Sequence, residues 1–134
     1  MRRAAAVLVV LLAGCGTKSL NHDVKGFTQE SSSPAGQAIL RSIATYRMTR
    51  DPARACALIT DHFLRTSRFD GKLDNCEQVL RDADKHLPDS ARVQSVSGAS
   101  ARVLVDEPTA TRSIYEMRRV GGVWKIDDIV EAGA

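Results

Sequence analysis

Hydrophobic residues follow three different patterns along the chain. An unbroken apolar run over residues 4–12 precedes a polar stretch over 16–33, in which apolar side chains occur singly. Apolar residues then recur at the three-to-four-residue spacing of amphipathic helices as far as Pro88. Beyond Pro88, short segments rich in valine and isoleucine are separated by turn residues, which is typical of antiparallel strands. The pattern predicts an α+β domain with its helices first and its sheet second.

Three helices are predicted in the first half of this domain. Ser33-Pro34 places a capping serine before a proline at the first helical position, so the first helix begins there and ends near Arg50. Asp51-Pro52 repeats this signal and opens a second helix. The third begins at the capping-box sequence Asp74-Asn75-Cys76-Glu77 and ends at Pro88. The residues on the three core-facing stripes are Ile39, Leu40, Ile43, Ala44 and Arg47; Ala55, Cys56, Ile59 and Phe63; and Cys76, Val79, Leu80, Ala83 and Leu87.

Four strands joined by tight turns form the predicted antiparallel meander. Gly121-Gly122 suits a two-residue hairpin because both glycines accept positive φ. Ser97-Gly98-Ala99-Ser100 and Glu107-Pro108-Thr109 provide the other two turns. Val93 and Val96 are out of phase for one face of a strand, so we expect a β-bulge between them. The predicted strands are residues 92–97, 101–106, 113–120 and 123–130.

The N-terminus carries the three parts of a secretory signal. Arg2 and Arg3 precede the apolar run, and small residues follow it. A run of about ten residues is half the length that a bilayer span needs. Leu12-Ala13-Gly14-Cys15 resembles the lipobox of bacterial lipoproteins, which implies a diacylglyceryl thioether on Cys15 and cleavage just before it. The alternative is an ordinary signal peptide in which this cysteine is incidental.

These features divide the chain into three parts. We expect a signal peptide over residues 1–14, the lipidated cysteine with a flexible tether over 15–33, and the folded domain over 34–134. Roughly twenty residues of polar tether would hold the domain about 25 Å from the membrane on average. The expected location is therefore extracytoplasmic, anchored by lipid to the cell membrane.

The charge of the mature protein is smaller than the precursor suggests. The sequence pI is 9.0, but removal of Arg2 and Arg3 leaves seventeen basic against sixteen acidic side chains. No run of lysine or arginine offers a stripe for phosphates, so nucleic acid is not an expected partner.

The two remaining cysteines suggest a covalent link within the domain. An even pair in an exported domain is read as a disulfide, here Cys56 with Cys76. Two buried free thiols or half of a metal site are the alternatives, but no histidine or further cysteine lies at ligand spacing. We therefore expect no metal and no cofactor.

The order of the elements and several short motifs resemble the nuclear-transport-factor-2-like superfamily, also called SnoaL-like. The likeness extends over roughly residues 37–130, and small exported actinobacterial members are similar, including the cysteine pair. It implies three helices packed on a strongly curved four-stranded meander, a cone with a pocket at its open end. Because this cone serves isomerases, dehydratases, polyketide cyclases and binding modules, the fold does not specify the function. The matching motifs are Thr49-Arg50-Asp51, residues 53–60, Asn75-Cys76-Glu77 and Gly122-Val123-Trp124-Lys125-Ile126.

Few residues are candidates for chemistry. Asp61 and His62 are adjacent, and neighbours in a helix do not face each other, so solvent or capping contacts are favoured over a catalytic dyad. His86 lies near the end of the third predicted helix, where a cation suits the helix dipole. Four residues are candidates for lining the implied pocket. Two of them, Tyr115 and Trp124, have packing of the sheet against the helices as the favoured alternative, and Glu116 has a cross-strand ion pair as its favoured alternative. These candidates are Tyr46, Tyr115, Glu116 and Trp124.

Two functions follow from these expectations. The favoured one is a non-enzymatic, membrane-tethered module that binds a protein partner or a small apolar ligand at the cell envelope, and no catalytic residue is assigned. The other is a small lyase or isomerase acting on a hydrophobic substrate, which requires Asp61, Glu116 or Asp128 to lie at a cavity beside a tyrosine. The sequence leaves the oligomeric state open, with a dimer as one alternative.

Overall fold

The computed structural model describes residues 28–30 and 33–132, which form an α+β domain. Four helices lie between a short first strand and a four-stranded antiparallel meander. In the sheet the strands lie side by side in the order β1-β2-β3-β4-β5. The elements are β1 (Thr28–Glu30), α1 (Pro34–Met48), α2 (Pro52–Cys56), α3 (Asp61–Thr66), α4 (Leu73–Asp82), β2 (Ser90–Ser97), β3 (Ser100–Asp106), β4 (Arg112–Val120) and β5 (Val123–Glu131).

The first helix begins as the sequence predicts. The Ser33 hydroxyl accepts a hydrogen bond from the backbone N–H of Gly36 (2.9 Å), and Pro34 occupies the first helical position. Ile39, Leu40 and Ile43 are fully buried, because their spacing turns all three toward the sheet.

The second predicted helix is wrong as one element, because the structure divides it into α2 and α3. Between them the chain runs alongside β5: the N–H of Ile126 donates to the Leu58 carbonyl (2.8 Å), and the N–H of Thr60 donates to the Ile126 carbonyl (2.9 Å). The Thr60 hydroxyl then accepts from the N–H of Phe63 (3.1 Å) and caps α3. Pairing with the edge of the sheet thus replaces a turn of helix.

The third predicted helix is shorter than expected and starts differently. Lys72 precedes α4 without a side-chain cap, and Asp74 lies in the first turn, so the predicted capping box does not form. The helix ends at Asp82 and not near Pro88. The Lys85 ammonium donates to the carbonyl of Leu80, which satisfies a backbone acceptor in the last turn.

The meander forms with the predicted turns. The register of β2 against β3 shifts between Val93 and Ser95, which is the expected bulge. A second shift lies between Glu116 and Met117, where β4 pairs with β5. Both bulges bend the sheet locally.

β1 was not predicted. Thr28–Glu30 pairs in parallel with the start of β2, within the segment expected to be a tether. The rest of that tether up to residue 27, together with the expected signal peptide and Cys15, lies outside the described residues.

One hydrophobic core lies between the helices and one face of the sheet. Tyr115, Met117, Trp124 and Ile126 contribute from β4 and β5. The sulfurs of Cys56 and Cys76 lie 2.15 Å apart within this core, at disulfide-bonding distance, and join α2 to α4.

Candidate functional site

Arg47, in the last turn of α1, is the centre of a half-buried polar cluster. Its guanidinium donates to both carboxylate oxygens of Glu107, at 2.7 and 2.8 Å. It also donates to the Tyr115 hydroxyl (2.9 Å), and its second nitrogen lies 3.3 Å from Nδ1 of His86. The Arg47 and Glu107 side chains are 13% and 16% exposed. Arg47 reaches this position because it continues the buried stripe of α1.

The electrostatics of this cluster fix its charges. Burial lowers the pKa of Arg47, but the hydrogen bond with Glu107 and the neighbouring Tyr115 outweigh it, so the pKa is raised overall. Hydrogen bonds from Arg47 lower the pKa of the Glu107 carboxyl. Burial raises the pKa of the Tyr115 hydroxyl. Glu107 is therefore held ionised, which suits a structural ion pair better than a general base near neutral pH.

A cleft of about 340 Å³ lies beside this cluster, between the end of α1, α3 and β5. Its aromatic side is formed by Phe63 and Phe69, whose ring centroids are 6.1 Å apart in an edge-to-face arrangement. The Arg68 guanidinium carbon lies 5.8 Å from the centroid of the Phe69 ring. We call this the aromatic cleft; its lining residues are Tyr46, Phe63, Thr66, Ser67, Arg68, Phe69, Asp128 and Ile129.

Tyr46 supplies the most distinctive polar group of the aromatic cleft. Burial raises the pKa of its hydroxyl to about 12, and the neighbouring Tyr115 acts in the same direction. The hydroxyl makes no hydrogen bond to another described residue, and no described side chain leaves a fully buried polar atom unpaired. The hydroxyl is therefore accessible from the cleft, where it is a hydrogen-bond donor throughout the physiological pH range.

A second cleft, of about 470 Å³, lies between α3 and the β4–β5 hairpin. The Thr60 hydroxyl donates to Oδ1 of Asp127 (2.7 Å), and Nε of Arg118 lies 3.8 Å from Oδ2 of the same carboxylate. We call this the charged cleft; its lining residues are Ile59, Thr60, Asp61, His62, Arg118, Val120, Lys125 and Asp127.

The structure does not bring the four predicted lining residues together. Tyr46 lines the aromatic cleft, whereas Tyr115 and Trp124 are core side chains that pack the sheet against the helices. Glu116 lines a different groove, of about 300 Å³, and lies 4.0 Å from Arg102. They separate because Tyr115 and Glu116 are consecutive in β4 and point to opposite faces of the sheet.

The other candidates are also separated. Asp61 and His62 are exposed in the first turn of α3 and line the charged cleft. Asp128 is half-buried and lines the aromatic cleft. His86 lies beyond the end of α4, so its expected position at a helix end is wrong, and it contacts Arg47 instead.

Sequence reasoning missed the roles of Arg47, Arg68 and Phe69. The signal for Arg47 is a charged residue on an otherwise apolar helical stripe, since such a residue needs a partner once it is buried. Phe69 lies in the loop after α3 and carries no periodic signal, although it is almost fully buried.

Three negative findings complete the description of the site. Within residues 28–30 and 33–132, no group of three or more histidine, cysteine or carboxylate side chains is placed to hold a metal ion. Over the same residues, no helix has the length and apolar character to cross a membrane. No family model matches the chain, and neither does any curated protein or solved structure.

Proposed function

We propose that this protein is an exported lipoprotein, anchored to the membrane through Cys15, whose domain binds a small apolar ligand bearing an anionic or hydrogen-bond-accepting group. The aromatic cleft carries this proposal. The lipobox-like Leu12-Ala13-Gly14-Cys15 supports the anchor, and the paired cysteines fit an oxidising compartment. We further propose a nuclear-transport-factor-2-like cone, which the two bulges and the helices packed on one face of the sheet support.

The chemistry of the aromatic cleft indicates the class of ligand. Phe63, which is 8% exposed, provides the apolar contact for a planar or hydrocarbon body, and the almost fully buried Phe69 packs against it from behind. The Tyr46 hydroxyl donates a hydrogen bond, and the Arg68 guanidinium adds a permanent positive charge. Apolar walls with a few convergent polar groups are typical of small-molecule sites. A carboxylate or sulfonate on an aromatic body would meet Tyr46 and Arg68 through its anion, and the Asp128 carboxylate in the same cleft opposes binding of the anion elsewhere along the wall.

A lyase or isomerase is the second candidate, because Asp128 lines the same cleft as Tyr46. In such a reaction the Asp128 carboxylate would accept a proton from carbon, and the Tyr46 hydroxyl would donate a hydrogen bond to the oxyanion that develops. We rank binding first because one Asp128 oxygen already accepts the backbone N–H of Ile129 (2.9 Å). Turnover of an activated ketone that parent protein accelerates and Asp128→Asn does not would reverse this order.

Anilinonaphthalene sulfonate, which joins an aromatic body to an anion, is a suitable probe of the binding function. We expect saturable binding to folded protein, weakened about tenfold by Tyr46→Phe or Arg68→Gln, since each removes one polar contact to a charged group. Tyr115→Phe makes the same chemical change outside the cleft, and Arg54→Gln removes an exposed charge on α2, so both should bind like the parent. Equal binding by all four variants would exclude the aromatic cleft as the site.

The anchor is tested separately with Cys15→Ser. The parent protein should fractionate with membranes and show the mass of a lipid-modified chain beginning at residue 15. The variant should lose both properties. If processing and membrane association survive the substitution, the lipobox interpretation is wrong. Crosslinking in cells that captures one protein partner, with no ligand bound in the cleft, would favour protein binding.

A further inference from the structure

The two glycine-containing hairpin turns lie at the same end of the sheet. β2 and β4 run in the same direction, so the turns that follow them are neighbours. The backbone N–H of Arg119 donates to the carbonyl of Ala99 in the other turn (2.7 Å). We call this surface the hairpin end; its side chains are Val96, Arg118, Arg119, Val120, Val123 and Lys125.

Two exposed valines, Val120 and Val123, flank the apex of the β4–β5 turn on the face of the sheet that points away from the core, and a third, Val96, lies on the other face. Val96 is 41% exposed, and Val120 and Val123 are each 44% exposed, directly before and after Gly121-Gly122. These are three of the six large hydrophobic side chains that are exposed in the described part of the chain. A two-residue glycine turn needs no apolar flank, so the valines at its apex are not explained by the hairpin itself.

Two basic side chains lie beside Val120 and Val123 on the same face of the sheet, and the Asp61 and Asp127 carboxylates line the cleft that they share with Val120. Arg118 and Lys125 lie directly opposite each other on β4 and β5, an arrangement of like charges that destabilises a sheet. Asp127 approaches Arg118 only to 3.8 Å, and Lys125 forms no ion pair with any residue that the structure describes. At the opposite end of the sheet, Asp106 is paired with Arg112 and Glu107 with Arg47, so the carboxylates there are already balanced by arginines.

We propose that the hairpin end docks on the surface of an anionic phospholipid bilayer. Val120 and Val123 enter the headgroup region, and Arg118 and Lys125 face the lipid phosphates. Exposed apolar side chains flanked by basic residues are the combination that binds such interfaces, since apolar burial and attraction to anionic lipid act together.

This orientation rests on the proposed anchor, and the length of the chain permits it. β1 enters the sheet beside the start of β2, at the end opposite the hairpin turns. The eight residues of β2 separate the two ends, roughly 25 Å at the rise of a strand. Twelve residues lie between Cys15 and Thr28, and a chain of that length reaches at most about 40 Å. The tether can therefore run beside the sheet while the hairpin end touches the bilayer.

The test places a fluorescent probe at each end of β5 in the full lipidated protein, reconstituted in vesicles. Val123→Trp labels the hairpin end and Val130→Trp labels the opposite end, and the parent, whose one tryptophan is Trp124, gives the background. The vesicles contain phosphatidylcholine alone or mixed with phosphatidylglycerol, with brominated acyl chains as quenchers. We expect blue-shifted, quenched emission from Val123→Trp in the anionic vesicles only, and neither effect from Val130→Trp.

Charge reversal separates docking from simple proximity to the vesicle. Arg118→Glu with Lys125→Glu should abolish the blue shift in anionic vesicles, while Arg41→Glu with Arg54→Glu, which makes the same charge change on the helices, should preserve it. Added salt should weaken the shift because it screens the attraction.

Four outcomes would overturn docking: equal quenching of both probes, no shift in anionic vesicles, a shift caused by inorganic phosphate without lipid, or a shift that depends on protein concentration without anionic lipid. The third would indicate a small-anion site and the fourth a contact between copies of the chain. Failure of the anchor is distinguishable, because the protein would then carry no lipid mass and would not remain with phosphatidylcholine vesicles.

Discussion

Arg47 donates to both carboxylate oxygens of Glu107 across sixty residues of sequence, joining the end of α1 to the β3–β4 turn. The same guanidinium holds the Tyr115 hydroxyl, so one side chain links a helix, a turn and a strand. Two half-buried charges with bidentate geometry form a stronger contact than an exposed pair.

Arg47→Met should destabilise the fold by about 2 kcal/mol, because it leaves Glu107 half-buried without its partner. Chemical unfolding at neutral pH measures this change. Arg47→Met with Glu107→Leu should recover part of the loss, since removing both charges leaves neither one unpaired. A double variant that loses the sum of the two single losses would show that the contact is not coupled.

Acid should weaken the fold partly through Glu107. Its pKa is lowered from an ordinary value of 4.5 by hydrogen bonds from Arg47. Its contribution is therefore fully present above pH 4.5 and is lost as the pH falls through the lower folded value. The difference in unfolding free energy between the parent and Glu107→Gln should narrow as the pH falls below 4.5. In an Arg47→Met background the same substitution should no longer change the shape of the profile.

The two tyrosines should resist ionisation in the folded protein. Burial raises the pKa of Tyr46 to about 12 and raises that of Tyr115 above its ordinary value of 10.0. The absorbance of tyrosinate should therefore not rise around pH 10, as it does once the chain is unfolded. The unfolded tyrosines lose their protons at a lower pH than the folded ones. The stability that these two tyrosines contribute is therefore fully present below pH 10 and is lost as the pH rises toward 12. Half of the full tyrosinate signal at pH 10 with the fold intact would contradict the raised pKa values of both tyrosines.

The cysteine pair should be oxidised in the mature protein. The intact mass should fall by two hydrogens relative to reduced protein, and no thiol should react with alkylating reagent before reduction. Replacing both Cys56 and Cys76 by alanine should cost about 3 kcal/mol in the chain-entropy account, for a sequence separation of 20. Two reactive thiols in unreduced protein would disprove the bridge.

The stability of the β4–β5 hairpin should depend on Gly122, although the space around this glycine would accept a side chain. Gly122 has φ of 81°, and a side chain there would meet no atom within 4 Å. Gly122→Ala should nevertheless lower the unfolding free energy by about 1 kcal/mol, because a left-handed backbone is strained for alanine. Gly121→Asn is the matched control, since asparagine accepts this conformation at a hairpin turn. Equal losses of unfolding free energy from the two substitutions would indicate that the added side chains, and not backbone strain, cause the loss.

Local signals along the sequence identified much of the fold. Ser33-Pro34 fixed the start of α1, Gly98 and Gly121-Gly122 fixed two hairpins, and the phase of Val93 and Val96 located a bulge. Each of these depends on residues a few positions apart, so the sequence contains the whole interaction. The cysteine pair was predictable for a different reason: once Cys15 is assigned to the lipid, only Cys56 and Cys76 remain to form a disulfide.

The errors and the site came from contacts between distant segments. The second predicted helix is divided in two because Leu58 and Thr60 form hydrogen bonds with Ile126. β1 forms because Thr28–Glu30 pairs with the edge of β2. The sequence around Glu107 does not indicate that Arg47 is its partner. Tyr46, Phe69 and Asp128 share a cleft that no local pattern describes. The sequence by itself determined the order of the elements, the turns and the expectation of a lipid anchor. Only the tertiary structure decided which side chains meet, because edge pairing and buried charge depend on where remote segments pack.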